Sequence, residues 1–230
     1  MAKKKLVVLT GAGISAESGL KTFRDTDGLW EGFNVYEVAT PRGFVANPTM
    51  VLDFYNQRRK DVAKAQPNAA HIGLAELENY FDVTIITQNI DDLHERAGST
   101  NIIHLHGQIF EMRSVYNEQN IYEIKEDIIV GDVDENGHQL RPNIVWFEEA
   151  VPMIEVAASI VNVADIFVVI GTSLQVYPAA GLLNYATKYA PKFIIDKKIP
   201  PISSLHELTI IEDGAGEGVK QLSKLLKQLV

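Results

Sequence analysis

Short apolar runs, mostly β-branched and bounded by turn residues, alternate along the chain with longer segments whose apolar residues recur at helical spacing. The runs are Lys5–Thr10, Val83–Thr87, Ile102–Leu105, Ile166–Ile170, Phe193–Ile195 and Leu208–Ile211. Apolar residues on successive positions, without in–out alternation, predict strands buried on both faces, as in a parallel sheet. Asn68–Asn79, Pro152–Val163, Ala179–Tyr189 and Gly218–Leu229 carry the helical pattern. This alternation predicts an α/β fold, a Rossmann-like doubly wound parallel sheet. Two stretches interrupt it and are too long for connections. Residues 1–31, 67–107 and 142–230 are therefore expected to form the Rossmann-type domain, and 32–66 and 108–141 a smaller second lobe. The first insertion reads as helical, with a helix from Thr49 to Ala65. The second reads as a hairpin module turning at Glu135-Asn136-Gly137-His138.

With 46% hydrophobic and 22% charged residues in 230, the chain is long enough and apolar enough for a full core. No apolar run approaches the ~20 residues of a membrane helix, and the opening Met-Ala-Lys-Lys-Lys runs into the first strand without a cleavage-site pattern. A cytoplasmic protein with no membrane partner is expected. A balance of 21 basic against 30 acidic residues, net -9, repels phosphate backbones and argues against nucleic acid. Cysteine is absent, which removes disulfides, thiol nucleophiles and cysteine-based zinc modules. Asp132, Asp134 and Asn136 have calcium-loop spacing, but Asn143 stands where the bidentate glutamate belongs, so no calcium site is expected.

Four motifs fall at strand ends. Gly11-Ala12-Gly13-Ile14-Ser15-Ala16 follows the first strand and fits a dinucleotide-binding turn, where glycines let the backbone approach a pyrophosphate. The second strand and acidic residue that usually follow are missing; Thr22-Phe23-Arg24-Asp25 stands there instead. Thr87-Gln88-Asn89-Ile90-Asp91 places amide and carboxylate groups suited to a carboxamide or ribose, or equally a helix cap. His104-Leu105-His106-Gly107 offers His106 as a general base. Gly171-Thr172-Ser173 adds amides and hydroxyls at a further strand end.

Together these motifs resemble the sirtuin family of NAD-dependent protein lysine deacylases, in order and spacing, from about residue 6 to the C-terminus. The resemblance implies NAD as a consumed co-substrate bound between the two lobes, and acylated lysine side chains of proteins as partners. It implies that Gly11, Ala12 and Gly13 meet the pyrophosphate, that Phe23 and Arg24 cover the nicotinamide ribose, and that Gln88, Asn89 and Asp91 line the ribose and nicotinamide pocket. Gly171, Thr172 and Ser173 would hold the adenosine end, with Ala215 near the adenine and Asp196 at a ribose position where the family usually has asparagine. His106 would be the base for a ribose hydroxyl chain, with Asn89 and Asp91 also catalytic. Val145, Trp146 and Phe147 would pair with the substrate backbone as a strand, although Glu148 stands where many relatives have glycine.

The same resemblance marks one departure and one subgroup. Most sirtuins hold the small lobe with four zinc-binding cysteines, and Arg113 to Arg141 contains none. No metal site is expected; Val115, Tyr116, Ile121, Tyr122, Ile124, Ile128, Ile129 and Val130 are expected to form an apolar core instead. Tyr55 and Arg58, three apart and so on one helical face, resemble the Tyr-x-x-Arg pair of sirtuins that remove acidic acyl groups, and Ala39 matches their small pocket residue. A succinyl- and malonyl-lysine deacylase that also removes acetyl is expected. The alternatives are a plain deacetylase, a protein ADP-ribosyltransferase and a non-catalytic NAD-sensing module; oligomeric state is left open, with a monomer plausible.

Overall fold

The run Lys5–Thr10 forms strand β1, every residue after Lys5 buried. A computed structural model describes residues 2–22, 29–30, 32–199 and 205–228. After β1 come a 3-10 helix (Ala12–Ser18), the short pair β2 (Leu29–Trp30) and β3 (Phe33–Asn34), and helices α1 (Val35–Val38), α2 (Pro41–Ala46), α3 (Pro48–Lys64) and α4 (Ala69–Leu77). The middle of the chain forms β4 (Asp82–Thr87), α5 (Leu93–Arg96), β5 (Ile102–His104), β6 (Gly107–Ser114), β7 (Ile121–Glu123) and β8 (Leu140–Ile144). It ends with α6 (Ile154–Asn162), β9 (Ile166–Ile170), a second 3-10 helix (Ala179–Tyr185), β10 (Lys192–Ile195), β11 (Leu208–Ile211) and α7 (Ala215–Leu226).

Six strands make one parallel sheet in the order β11-β10-β9-β1-β4-β5. Period-two alternation sends Leu6 and Val8 into one core layer, with Leu74 of α4 and Leu222 of α7. Val7 and Leu9 enter the other, with Val161 of α6 and Leu182 of the second 3-10 helix. The chain leaves β1 toward β4 on one side and returns at β9 on the other, so the order reverses at β1, where open α/β sheets bind ligands.

The two insertions meet in a third core. Helices α1 to α3 pack against an antiparallel sheet ordered β7-β6-β8, joining Val51, Leu52 and Phe54 to Ile109, Leu140 and Trp146. Side-chain caps start α2, α3 and α4. The Thr40 hydroxyl accepts from Gly43 N–H, and Asn47 Oδ1 accepts from Met50 N–H. Asn68 and His71 form a reciprocal cap on α4.

Three expectations are corrected. The helix expected over Ala179–Tyr189 is a 3-10 helix that stops at Tyr185. Beyond it, Lys192 Nζ is buried and gathers the carbonyls of Thr187 (2.7 Å) and Ala190 (2.8 Å), which a continuing helix would have pointed elsewhere. The last helix begins at Ala215, after Gly214 at its N-cap, rather than at Gly218; Gly218 is inside it as a close-packing position, where a Cβ would lie 2.2 Å from Ile195 Cγ2. Leu229, at its expected end, lies outside the described residues.

The third correction concerns the hairpin module. Of its eight expected core residues only Ile128 is fully buried, with Ile124 packed partly; Val115, Tyr116, Ile121, Tyr122, Ile129 and Val130 are exposed. Polar side chains on α3 hold the module instead. Asn56 accepts from Ile128 N–H and donates to Ile128 O, both at 2.9 Å, as a neighbouring strand would. The buried Arg59 guanidinium donates to Ile109 O (2.9 Å) and Glu126 O (3.1 Å). The turn is as expected: Gly137 is left-handed, and Asp134 Oδ1 takes the N–H groups of Asn136 and His138.

Candidate active site

The carboxyl ends of β9, β1, β4 and β5 lie side by side and open into a cavity of about 460 Å³ that the small lobe closes from the other side. Its floor is backbone. Gly13 N–H donates to Gly171 O (2.8 Å), and a Cβ on Gly13 would lie 2.7 Å from Gly171 Cα, so only glycine lets these two turns meet. Ala12, Thr172 and Ser173 continue this floor.

Beside it the loop after β4 is locked by its own side chains. Asn89 Nδ2 donates to Gly11 O (3.2 Å) and Ser15 Oγ (3.1 Å), and Ser15 Oγ donates to Asp91 Oδ2 (3.0 Å). Thr87 Oγ1 accepts from Asn89 N–H (3.0 Å), while Gln88 reaches Thr172 Oγ1 at 3.2 Å. Burial raises the Asp91 carboxyl above its ordinary range, against the bonds from Leu93 N–H and Ser15. Ser15 was legible in the first motif, yet its contact with Asp91 could not be read from residues 76 apart.

His104, which ends β5, and His106 both meet this loop. His106 Nδ1 lies 3.0 Å from Gln88 O. A carbonyl only accepts, so Nδ1 carries the proton and Nε2 keeps its lone pair. Burial lowers the pKa of His106, and the Gln88 carbonyl opposes that. His104 pairs with Glu95 Oε1 (2.7 Å) and Asn89 O (3.3 Å). Burial acts to lower its pKa, but Glu95, the Asn89 carbonyl and the Asp91 charge together outweigh this, so the net shift is upward. Gly107 then turns the chain into β6 at φ +76, where a Cβ would lie 2.0 Å from Asn143 O.

The opposite wall comes from α3 and the segment after β8. Tyr55 and Arg58 of α3, Ala39, Val145, Trp146 and Phe147 all line the cavity. Trp146 Nε1 donates to the Tyr55 hydroxyl at 2.9 Å. The N–H groups of Val145, Trp146 and Phe147 are committed to His106 O, Glu149 Oε2 and Ala39 O respectively. All three N–H groups of this segment are thus used within the chain, and the Trp146 carbonyl accepts from Glu149 N–H (3.2 Å). Glu148 occupies left-handed backbone (φ +74) and pairs with Arg42 at 2.5 Å. Glu149 and Arg141, which brace the segment, carried no recognisable sequence signal.

Asp196 and Ala215 are not in the cavity wall. Asp196 directly follows β10 and Ala215 starts α7, with Asp196 Oδ1 accepting from Lys198 N–H (3.0 Å). Phe23 and Arg24 lie outside the described residues. Among the described residues no group of three His, Asp or Glu side chains is arranged to hold a metal, and Asp132 and Asp134 serve the turn.

The Sir2 family model matches residues 11–178. An NAD-dependent protein deacylase of Bacteroides thetaiotaomicron is 52% identical, over 97% of this chain and 98% of that protein. One from Helicobacter pylori is 50% identical, over 98% and 99%. Among solved structures, a Sir2 homologue in complex with NAD superposes with a TM-score of 0.87 at 38% identity, covering 99% of this chain and 91% of that one. A mutant Sir2 enzyme with a deacetylated p53 peptide and 3'-O-acetyl ADP-ribose matches with a TM-score of 0.82 at 30% identity, covering 97% and 94%.

Proposed function

The chain belongs to the Sir2 family and is an NAD-dependent protein lysine deacylase; from that premise we propose that it removes succinyl and malonyl groups from lysine as well as acetyl. The observation that carries this reading is the shared cavity: Arg58 and Tyr55 line the same space as His106, with Arg58 Nη2 donating to Lys21 O at 3.4 Å. Arg58 is 8% exposed. A guanidinium binds a carboxylate by charge-assisted, bidentate hydrogen bonds, and a chain of net charge -9 offers an acidic acyl group little other attraction.

The donor set fits NAD. In this reading the glycine floor of Gly11, Ala12 and Gly13 admits a pyrophosphate, Gly171, Thr172 and Ser173 hold the adenosine side, and Gln88, Asn89 and Asp91 hold the nicotinamide side. NAD supplies an electrophilic ribose carbon, a departing nicotinamide and the ribose hydroxyls. His106 accepts a hydroxyl proton on Nε2, its other nitrogen held by Gln88 O. Asn89 and Asp91 are kept in place by Ser15. Val145 and Phe147 present backbone carbonyls to the peptide, and Ala39 leaves room for the acyl chain. Asp196, Ala215, Phe23 and Arg24 are assigned to the cofactor by family resemblance.

Incubation with NAD and acetyl, succinyl or malonyl peptides tests this. Free lysine with nicotinamide and the matching O-acyl-ADP-ribose is expected from all three. Acetyl product alone leaves a plain deacetylase, and ADP-ribose attached to protein indicates transfer.

A further inference from the structure

The Trp146 indole and the Tyr55 hydroxyl connect two parts of the site that otherwise come from different elements. Trp146 lies in the segment after β8, and Tyr55 is a fully buried residue of α3; both line the cavity, and the proposed function gives the first to the peptide and the second to the acyl group. We infer that Trp146 is a positioning residue for acyl selectivity, presenting the Tyr55 hydroxyl to the terminal carboxylate of the acyl group. This rests on the reading of Tyr55 and Arg58 as a carboxylate pocket.

An indole N–H only donates, so its 2.9 Å bond takes a lone pair of the Tyr55 oxygen and turns the hydroxyl proton toward another acceptor. Burial raises the Tyr55 pKa well above its ordinary value, which keeps that proton on the oxygen. A tyrosine fixed in this way is a donor and suits an anionic acyl end; an acetyl methyl makes no use of it. The indole in turn has little freedom. The backbone N–H of Trp146 donates to Glu149 Oε2 (2.7 Å), and the Arg141 guanidinium carbon lies 3.2 Å from the indole ring centroid. Arg141 is tied to Glu149 Oε1 (2.7 Å) and Ile144 O (2.7 Å), and the Phe44 ring packs at 5.3 Å between centroids. Trp146 is 3% exposed. The segment that receives the peptide thus also sets the donor in the acyl pocket.

A double-mutant cycle with succinyl and acetyl peptides tests this, using Trp146→Phe, Tyr55→Phe and the double variant. Trp146→Phe is expected to lower the succinyl-to-acetyl ratio of kcat/KM about fivefold to tenfold, through KM for the succinyl peptide. In the Tyr55→Phe background the same change should move the ratio less than twofold. An unchanged ratio in Trp146→Phe, or an equal drop in both backgrounds, overturns the inference and reduces Trp146 to packing. Wild type that fails to turn over succinyl peptide overturns the carboxylate pocket itself, and this inference with it.

Discussion

His106 Nδ1 lies 3.0 Å from the carbonyl oxygen of Gln88, at the end of the neighbouring strand. This contact selects the ring nitrogen left to accept a proton, and it ties the base to the loop that carries Asn89 and Asp91.

A base must be neutral to act, and burial lowers the pKa of His106 with the Gln88 carbonyl opposing. The acid limb of kcat/KM should therefore fall below the ordinary histidine value of ~6.5. His106→Ala should abolish deacylation and change the Kd for NAD by less than about tenfold. Steady-state kinetics across pH and calorimetric titration of NAD check both. An acid limb above 7, or retained turnover, would contradict the assignment.

His71 and His94 sit edge to face behind the strand ends, ring centroids 4.9 Å apart, both buried. Burial lowers His71 to about 4, and His94 is also lowered. Unfolded chains take up these protons near pH 6.5, whereas the native fold resists them. Stability is thus whole above pH 6.5 and is lost as the pH falls toward 4. His71 alone accounts for about 3 kcal/mol over that window at ~1.36 kcal/mol per pKa unit. Urea denaturation at pH 7 and pH 4.5 should show a smaller acid loss in His71→Leu than in wild type. The comparison cancels slopes from carboxylates common to both, and equal losses would refute it.

Removing the Arg59 guanidinium leaves the carbonyls of Ile109 and Glu126 without it. Arg59→Leu should cost about 3 kcal/mol, the usual scale for stranding buried polar groups. Hydrogen exchange should quicken first at Ile128, which Asn56 holds from the same helix. Because side chains brace this module, EDTA should leave the melting temperature unchanged. Tightly bound zinc, one per chain, with an EDTA-sensitive transition would contradict that.

The parallel sheet was legible because strands buried on both faces declare themselves as unbroken apolar runs, and β1 and β9 match theirs residue for residue; β11, expected to be buried likewise, is the sheet's edge strand and leaves Thr209 and Ile210 exposed. The strand-end motifs were legible for the same reason, since a sheet gathers the ends of its strands. What was not legible depends on long-range polar contacts. Apolar residues such as Ile121 and Val130 read as core, yet they are exposed because Asn56 and Arg59, which look like a solvated helix face, hold the module. Arg58 also reads as a surface residue by type; the Tyr-x-x-Arg resemblance alone marked it as a pocket residue, and the packing of α3 is what puts it in the cavity.

Acyl selectivity is the claim on which this account most depends, and kcat/KM for matched succinyl and acetyl peptides, with wild type and Arg58→Met, measures it directly. Wild type should process both. Arg58→Met should lower the succinyl-to-acetyl ratio roughly tenfold to a hundredfold, as expected for losing ~1.5–3 kcal/mol of hydrogen bonding to a charged group. A wild type inert toward succinyl-lysine, or a variant that loses both activities in equal proportion, would contradict the acidic-acyl pocket.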